Sequence, residues 1–319
     1  MKVLVTGAHG QLGRCIYDAY TNPNIYKVNE YLFASRYEFD ITSEASMEQY
    51  LFYHSGIECI INCAGYTNVE RAEEDIVEAF EVNSRGVKKL VDICEKYDIM
   101  LFHISTDYVY KDGQGICNEE SEIEPLNIYG QSKRDGELFI INSNLKNWYI
   151  FRTSWLYSPY RSNFFTKIMN DYIDGKYYKS LRVVTDEIGS PTYAKSLAET
   201  LLCIIEHGYY ATSFKNGIYN ASGNGIASRY DFAANIIAAG YNTYIDGKRI
   251  NIQRTIYPIT QAELNLKAKR PHCVIMNNDK LYGALPVSRN HWIYDLSECV
   301  NDYERMMDDR NKSYKMIYG

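Results

Sequence analysis

The chain opens with Lys2-Val-Leu-Val-Thr-Gly-Ala-His-Gly-Gln-Leu-Gly13, in which an apolar run leads directly into three regularly spaced glycines. A short apolar run, a glycine-rich turn and an amphipathic stretch predict a buried strand, a tight turn and a helix. Glycine at such a turn lets the backbone approach a pyrophosphate, which binds amides at the helix N-terminus. Glycines also occur at ordinary strand–helix turns. Of these two interpretations we favour a dinucleotide site formed by Gly7, Gly10, Gln11, Leu12 and Gly13.

The same alternation of apolar runs and amphipathic stretches continues through the first 155 residues, as is typical of parallel strands joined by crossover helices. The predicted strands are Lys2–Thr6, Tyr31–Ser35, Cys59–Asn62, Met100–Ser105 and Trp148–Thr153. The predicted helices are Leu12–Tyr20, Ser46–Phe52, Ile76–Tyr97 and Tyr129–Ile141. We therefore predict an α/β fold with a doubly wound Rossmann-type parallel sheet.

The alternation becomes less regular after about residue 155, and no Gly/Ser/Pro-rich linker marks a boundary. The predicted elements there are helices at Phe164–Ile173, Ala194–His207, Arg229–Ala239 and Leu296–Met307, strands at Leu181–Thr185 and Gly217–Ala221, and a mixed tail from Lys248. We predict a dinucleotide-binding domain at 1–155, to which short strands at about 181–185 and 217–221 return. Residues 156–319 are predicted to form a smaller, mainly substrate-binding lobe.

The composition excludes several classes of protein. The chain has 319 residues, a net charge of −6 and no basic block, which argues against a nucleic-acid partner. No apolar stretch approaches the roughly 20 residues that span a bilayer, and the N-terminus lacks the features of a signal peptide. The eight cysteines are scattered without a C-x-x-C pair. We therefore expect a cytoplasmic protein with reduced thiols, no membrane partner and no metal site that the sequence can assign.

Tyr129 and Lys133 are four residues apart, so they lie on one face of the predicted helix. A phenol has a pKa of about 10, and a nearby ammonium lowers that pKa by favouring the phenolate. Such a pair is a proton donor for a carbonyl that accepts a hydride, which indicates a nicotinamide-dependent reductase. The spacing recurs elsewhere among the 31 tyrosines, but only Tyr129 follows a predicted buried strand that ends in hydroxyls. Because open α/β sheets bind ligands at the carboxyl ends of strands, Ser105 and Thr106 are expected to join Tyr129.

The end of the second predicted strand bears on the choice of cofactor. A site specific for NAD usually has an acid about 20 residues beyond the glycines, where it binds the ribose 2′-hydroxyl. That place here reads Ala34-Ser35-Arg36, with no acid before Glu38. A hydroxyl and a guanidinium suit a 2′-phosphate, although Arg36 could also be a solvated loop residue. We predict NADPH, with NADH as a second cofactor.

Other residues near strand ends are candidates for the same site. Asp40 and Ile41 are expected to frame the adenine, and the small residues Cys63, Ala64 and Gly65 would let the cofactor backbone pass close to the third strand. Asn83 interrupts an otherwise helical run, where an asparagine is mildly unfavourable. A buried hydrogen-bonding role is therefore expected for Asn83.

Taken together, the motifs resemble the dTDP-4-dehydrorhamnose reductase family of the extended short-chain dehydrogenase/reductase superfamily, over essentially the whole chain. Two of the motifs are common to the superfamily: Thr6-Gly-x-x-Gly-x-x-Gly13 and Pro125-Leu-Asn-Ile-Tyr-Gly-Gln-Ser-Lys133. Four others narrow the resemblance to the family: Tyr66-Thr-Asn-Val-Glu-Arg-Ala-Glu73, Ser105-Thr-Asp-Tyr-Val-Tyr110, Phe151-Arg-Thr-Ser-Trp-Leu-Tyr157 and Asp186-x-x-Gly-Ser-Pro-Thr192.

The resemblance implies roles for individual residues. Tyr129 would be the proton donor, Lys133 would lower its pKa and bind the nicotinamide ribose, and Thr106 would bind the substrate carbonyl oxygen. The residues implied for the sugar and nucleotide are Thr67, Val69, Tyr108, Trp155 and Asn163, with Arg270 as a further contributor. The family also allows a homodimer linked by Mg²⁺, although no carboxylate cluster in the sequence is specific enough to name ligands.

The implied activity is the NADPH-dependent reduction of the C4 carbonyl of dTDP-4-dehydro-L-rhamnose. Two alternatives stay open at this point. One is a related nucleotide-sugar 4-ketoreductase or epimerase with another base, sugar or product configuration. The other is a non-catalytic, NADP-binding regulatory subunit on the same fold.

Overall fold

The computed structural model describes residues 1–173, 180–212, 214–240, 244–245, 248–249, 255–287 and 290–318. Its first-half strands are β1 (Lys2–Thr6), β2 (Glu30–Ala34), β3 (Ile57–Asn62), β4 (Met100–Thr106), β5 (Gly115–Cys117) and β6 (Trp148–Thr153). The later strands are β7 (Leu156–Tyr157), β8 (Leu181–Val184), β9 (Ile188–Gly189), β10 (Thr192–Tyr193), β11 (Gly217–Asn220), β12 (Ala227–Ser228), β13 (Tyr244–Ile245), β14 (Lys248–Arg249), β15 (Ile256–Ile259) and β16 (Val274–Met276).

The helices alternate with these strands. In the first half they are α1 (Gln11–Thr21), α2 (Glu44–Tyr53), α3 (Val69–Ala72), α4 (Ile76–Phe80), α5 (Gly86–Tyr97) and α6 (Ile128–Ile141). In the second half they are α7 (Phe164–Ile173), α8 (Ala194–Glu206), α9 (Tyr209–Thr212), α10 (Arg229–Gly240), α11 (Asp279–Tyr282) and α12 (Trp292–Tyr318). Short 3₁₀ turns cover Asp107–Val109 and Gln261–Glu263.

The central sheet is parallel throughout and has the order β11-β6-β4-β3-β1-β2. Apolar side chains of α1 and α8 pack on one face, and those of α2 and α5 pack on the other. A parallel sheet covered on both faces is buried, which explains its nearly continuous apolar strands. The structure confirms the predicted doubly wound α/β fold and all five predicted first-half strands.

The two short strands that were predicted to return to the sheet behave differently. β11 pairs with β6 and completes the sheet edge, as predicted. The prediction for residues 181–185 is wrong, because β8 pairs with β15 in a separate two-stranded sheet. The free edge of β6 is already paired with β11, so β8 forms its backbone hydrogen bonds with β15. The division at about residue 155 stays a prediction.

A third apolar cluster fills the space between α7, α10 and α12 in the second half of the chain. α12 contains the predicted final helix and extends it at both ends. Residues 250–254, 288–289 and 319 of the predicted mixed tail lie outside the described residues. Among the helices that the structure describes, none is both long and apolar enough to cross a membrane.

The predicted helix at Ile76–Tyr97 is interrupted by a π-helical turn at Glu81–Arg85, between α4 and α5. π turns are often found at functional sites. Asn83 lies in this turn, is 1% exposed, and bonds both the amide and the carbonyl of Tyr66 at 2.9 Å. Its Nδ2 also donates to Ser132 Oγ at 3.0 Å. Asn83 therefore ties the loop after β3 to α6, in agreement with the buried role expected for it.

A buried ion pair fixes α6 on the sheet. Glu137 of α6 and Arg152 of β6 are 0% and 1% exposed, and Arg152 donates to both carboxylate oxygens at 2.8 and 2.7 Å. Ser105 of β4 donates to the same carboxylate at 2.6 Å. Burial acts to raise the pKa of Glu137, but the hydrogen bonds from Arg152 and Ser105 outweigh it and lower that pKa. The helix that carries Tyr129 and Lys133 is thus held by an ionised carboxylate.

We predict that Glu137→Gln lowers the free energy of unfolding by about 3–5 kcal/mol, because it leaves the Arg152 guanidinium buried without its counter-charge. Urea unfolding followed by circular dichroism measures this. The matched control is Asp98→Asn, whose carboxylate pairs with Lys146 at 2.6 Å where both side chains are about two-thirds exposed or more. Exposed pairs contribute little, so the control should change stability much less. Equal losses in the two variants would contradict the anchoring role of Glu137.

Candidate active site

The site lies at the carboxyl ends of β1 and β3, where the chain reverses its direction of progress across the sheet. Gly7 follows β1 with φ +62°, and a side chain there would lie 2.8 Å from the backbone of Cys63 and Ala64. Gly13 packs equally closely, since a Cβ atom would lie 2.6 Å from Gly7 O. Ligands of open α/β sheets bind at this kind of switch point.

Gly10 differs from the other two glycines, because a Cβ atom there would meet only Gly7 O, at 3.1 Å. Gly10 is also the N-cap of α1, and no described side chain caps that helix. Leu12 is buried in the core, so its side chain is not available to a ligand. The Gln11 side chain is held by two contacts. Its Nε2 lies 3.5 Å from Leu156 O, and its Oε1 accepts a hydrogen bond from the Ser158 hydroxyl at 3.0 Å. The turn therefore leaves backbone surface at the helix N-terminus open to an anion.

At the end of β2, Ser35 and Arg36 are already bonded to carboxylates. Glu38 folds back so that one carboxylate oxygen accepts from Ser35 N at 2.8 Å and from Ser35 Oγ at 2.7 Å. These bonds lower the pKa of Glu38. Arg36 is exposed and pairs with Asp40 at 3.3 Å and Glu78 at 3.4 Å. Ile41, which was expected beside the adenine, is buried in the core.

Tyr129 and Thr106 meet where β4 and α6 approach one another. Tyr129 lies half-buried in the first turn of α6 and faces Thr106, whose hydroxyl donates to Asp107 at 3.1 Å and accepts from Tyr108 N at 3.2 Å. Tyr108 packs edge-on against the Tyr129 ring at 5.7 Å between centroids. Gly130 makes this approach feasible, because a Cβ atom there would lie 2.4 Å from Tyr108 O. Tyr129 and Thr106 therefore lie beside one another at the carboxyl end of the sheet.

Lys133 is 5% exposed and its Nζ donates to Ile104 O at 2.6 Å. Its ammonium was expected to lower the pKa of Tyr129, and the structure contradicts this for the ligand-free protein. Burial raises the pKa of Tyr129, the Thr106 side chain opposes that rise, and Asp107 and Tyr108 add to it. Burial also lowers the pKa of Lys133 to about 8. The phenol is therefore protonated at neutral pH, as a proton donor must be.

Ser105 does not join Tyr129 through its side chain, contrary to the expectation. Successive side chains of a strand point to opposite faces of the sheet, so Ser105 and Thr106 separate. The Ser105 hydroxyl donates to buried Glu137 instead. A buried carboxylate needs such donors, and this need determines the orientation of Ser105.

The residues expected around a sugar are only partly brought together. Thr67 is exposed and Val69 half-buried, at the start of α3 beyond β3. Trp155 has an unusual φ of +44°, and the Arg229 guanidinium stacks 3.6 Å from the centre of its ring. Residues held in sparsely populated backbone conformations cluster at functional sites.

The side chain of Asn163 is hydrogen-bonded to the backbone around the start of α7. Its Nδ2 donates to the carbonyls of Ser158 and Tyr160, and its Oδ1 accepts from Thr166 N. These bonds fix the start of α7. Its amide is already used for structure, so the geometry gives the predicted substrate contact of Asn163 no support.

Two buried polar residues near the site escaped the sequence analysis. Thr153 lies beside Thr106 in the β4–β6 register, and its Oγ1 is buried without a hydrogen-bond partner among the described residues. His103 is 0% exposed and bonds to Lys133. Both are polar residues inside apolar strands. A buried polar residue requires a hydrogen-bond partner, so this pattern could have identified them in the sequence.

Comparisons with known proteins agree with this geometry. A family model described as the RmlD substrate binding domain matches residues 1–305. A dTDP-4-dehydrorhamnose reductase from Aggregatibacter actinomycetemcomitans is 33% identical over 293 residues, which cover 91% of this chain and 95% of that protein. The spore coat polysaccharide biosynthesis protein SpsK of Bacillus subtilis is 31% identical over 96% of this chain and 99% of its own length.

Solved structures give the same result. A dTDP-4-dehydrorhamnose reductase ortholog from Clostridium acetobutylicum superposes with a TM-score of 0.81 at 31% identity, covering 94% of this chain and 99% of that one. The Bacillus anthracis enzyme in complex with NADP superposes with a TM-score of 0.80 at 29% identity, with the same coverage. The chain therefore belongs to the dTDP-4-dehydrorhamnose reductase family.

Proposed function

We propose that the protein reduces the C4 carbonyl of dTDP-4-dehydro-L-rhamnose with NADPH, giving dTDP-L-rhamnose and NADP⁺. The observation that carries the proposal is that α6 brings Tyr129 to Thr106 at the carboxyl end of β4, with Lys133 one helical turn further along the helix. The substrate follows from the relatives that bear the name of this reductase. A cytoplasmic location and a homodimer stay predictions.

The residues present fit a bound dinucleotide. The uncapped start of α1 at Gly10 suits the pyrophosphate, because backbone amides and the helix dipole favour an anion there. The small residues Cys63 and Ala64 line the same crevice, where their backbone lies 2.8 Å from the position that a Cβ atom of Gly7 would take. When bound, NADPH supplies the hydride that reduces the carbonyl carbon.

The residues of the chain supply the proton and stabilise the charge on oxygen. Thr106 and Tyr129 donate hydrogen bonds to the substrate oxygen as negative charge develops on it. Tyr129 then transfers its phenolic proton to that oxygen and completes the alcohol. The raised pKa of Tyr129 ensures that this proton is present when the substrate arrives. Proton transfer from a positioned side chain typically contributes about 10²- to 10⁴-fold in rate.

Tyr108 and Trp155 are proposed to shape the sugar pocket. Tyr108 is buried against Tyr129, and Trp155 is held between the Arg229 guanidinium and Gly189. Arg229 is in turn paired with Glu187 at 3.2 Å. Thr67 and Val69 are proposed to line the pocket from the loop after β3.

A second keto-sugar is a specific alternative. A dTDP-4-keto-6-deoxy-D-glucose reductase from Streptomyces niveus is 32% identical over 72% of this chain. Both substrates are dTDP-linked 4-keto-6-deoxy sugars, so the same hydroxyl pair could serve either. Comparison of kcat/KM for the two substrates decides between them, and the proposal requires the L-rhamnose precursor to be the better one.

We predict that Tyr129→Phe lowers kcat by about 10²- to 10⁴-fold, because the ring stays but the proton donor is lost. NADPH oxidation with enzymatically generated dTDP-4-dehydro-L-rhamnose measures this, and NADPH binding should be nearly unchanged. The matched control is Tyr53→Phe, which alters an exposed tyrosine of α2. A Tyr129→Phe enzyme with wild-type turnover would refute the role of Tyr129. A wild-type protein that binds NADPH without turnover would favour a regulatory subunit.

Selection between NADPH and NADH is proposed to depend on the charges at the end of β2. Arg36 and Ser35, just after β2, are the guanidinium and the hydroxyl that were expected at the 2′-phosphate. In the ligand-free structure each is already bonded to acids: Asp40 and Glu78 for Arg36, and Glu38 for Ser35. The 2′-phosphate of NADPH has to compete with those carboxylates for Arg36 and Ser35. The 2′-hydroxyl of NADH is uncharged, so the carboxylates do not repel it.

We therefore predict opposite effects of two substitutions. Arg36→Gln should raise the KM for NADPH about tenfold, since a charge-assisted bond contributes about 1.5–3 kcal/mol when fully formed and Arg36 is exposed. Glu38→Gln should lower the KM for NADPH by removing a negative charge from the 2′-phosphate site. Steady-state kinetics with NADPH and NADH measure both, with exposed Arg305→Gln as the control. Equal changes for the two cofactors would contradict this assignment.

A further inference from the structure

Two short strands in the second half of the chain place Arg229 beside Trp155. β12 pairs antiparallel with β9, and the pairing extends to Arg229, whose amide donates to Glu187 O at 3.0 Å. Alternate residues of a strand, and residues directly opposite in an antiparallel pair, share one face. Glu187, Gly189 and Arg229 therefore lie on the same face of this ribbon. Because Gly189 has no side chain, the Trp155 indole packs against its backbone.

Both faces of the Trp155 indole are covered in the ligand-free protein. A Cβ atom on Gly189 would lie 2.8, 2.9 and 3.0 Å from three indole atoms, which are its nearest neighbours. The Arg229 Cζ lies 3.6 Å from the centre of the ring. Because Arg229 is not among those nearest neighbours, its guanidinium covers the opposite face. The indole is therefore already stacked, and the surface that it would offer to a ligand is covered by the guanidinium.

The guanidinium of Arg229 is held in one orientation. Its Nε donates to Glu187 Oε2 at 3.2 Å, and the two side chains are 12% and 4% exposed. The Phe164 ring of α7 lies nearby, with 5.4 Å between its centre and Cζ. A guanidinium has five N–H donors in a planar fork, and among the described residues neither Nη1 nor Nη2 of Arg229 has an acceptor. The terminal edge of the fork is therefore available to a ligand.

The charge of Arg229 acts on residues beside the proposed proton donor. Burial raises the pKa of Asp107 and of Tyr108, and the positive charge of Arg229 opposes that rise in both. Both residues belong to the 3₁₀ turn that follows β4, and Tyr108 packs against the Tyr129 ring. Arg229 therefore lies close to the carboxyl end of β4, near the place proposed for the sugar.

We propose that Arg229 is a substrate-binding residue whose terminal N–H groups donate to hydroxyl oxygens of the sugar, and that Trp155 and Glu187 are positioning residues for it. The inference rests on the proposed function and deepens it, because it names the group that recognises the sugar. A planar fork that is already stacked and paired loses little freedom when it binds a ligand. Trp155, with its φ of +44°, then shapes the pocket through Arg229 and does not stack on the sugar itself.

Calorimetric titration separates recognition of the sugar from recognition of the nucleotide. Protein saturated with NADPH is titrated with dTDP and, separately, with dTDP-L-rhamnose. NADPH and this sugar are both in their reduced forms, so no turnover occurs. The ratio of the Kd for dTDP to the Kd for dTDP-L-rhamnose measures the contribution of the sugar. Arg229→Lys keeps the charge but loses the planar fork, so it should reduce that ratio about tenfold, while the Kd for dTDP changes little.

The matched control is Arg182→Lys, which alters an exposed arginine of β8 that pairs with Glu263 at 3.2 Å. It should leave both Kd values unchanged. If Arg229→Lys folds poorly, Arg229→Met combined with Glu187→Gln removes both charges of the pair, so that no buried charge is left without its partner. The ratio should fall in that double variant as well, and urea unfolding shows which variants are folded.

The positioning role of Trp155 is tested by a double-mutant cycle. Trp155→Leu removes the indole that stacks on Arg229, so it should reduce the ratio of Kd values in the otherwise wild-type protein. In the Arg229→Lys background the same change should have a much smaller effect, because Trp155 acts through Arg229. Additive effects would mean that the indole contacts the sugar directly and would overturn the positioning role. A purely structural role of Trp155 would instead weaken the binding of dTDP and dTDP-L-rhamnose alike.

A ratio that stays at the wild-type value in the folded Arg229 variants would overturn the proposal. An equal loss of affinity for dTDP and dTDP-L-rhamnose would overturn it too, because the guanidinium would then act on the nucleotide part of the ligand. Failure of the proposed function has a different signature. In that case the wild-type protein, although it binds NADPH, would bind dTDP-L-rhamnose no more tightly than dTDP and would not reduce the keto sugar.

Discussion

The carboxylate of Glu137 is the contact on which the geometry of the site depends. It accepts hydrogen bonds from Ser105 in β4 and from Arg152 in β6, with Arg134 on its own helix as a further partner. Arg152 also stacks on Tyr110, at 4.8 Å from the ring centre. A buried ion pair adds little net stability over apolar packing, but it tolerates very little change in geometry. It therefore sets the position of α6 relative to the two strands that carry Thr106 and Thr153.

The position of α6 determines the rest of the chemistry. Tyr129 lies two helical turns before Glu137 and Lys133 one turn before it, so both side chains follow the anchored face of the helix. At the N-terminal end of α6, Asn127 caps Gly130 at 2.8 Å and Glu73 bonds Ile128 N at 2.9 Å. Asn83 holds Ser132 from the π turn. Preorganised donors of this kind are what a developing oxyanion requires, since they need no rearrangement during the reaction.

The strand–helix order, the glycine turn and the Tyr129–Lys133 spacing were readable from the sequence because each depends on local periodicity. The relation between Ser105 and Thr106 was not, because it depends on which face of β4 meets a buried carboxylate from α6. The same limit applies to β8, whose partner β15 is about seventy residues further along the chain. The pKa of Tyr129 was predicted in the wrong direction, since a sequence shows the nearby lysine but not the extent of burial. The amide of Asn163 holds the start of α7, a tertiary role that the sequence does not show, and its contact with substrate stays a prediction.

The central claim is that this site transfers a hydride to C4 of a dTDP-linked 4-keto sugar. It is tested most directly by turnover with NADPH that carries deuterium at nicotinamide C4, followed by mass spectrometry and NMR of the sugar product. The account predicts dTDP-L-rhamnose with one deuterium, bonded to C4 of the sugar. An unlabelled product, deuterium at another carbon, or no product from a protein that binds NADPH would contradict it.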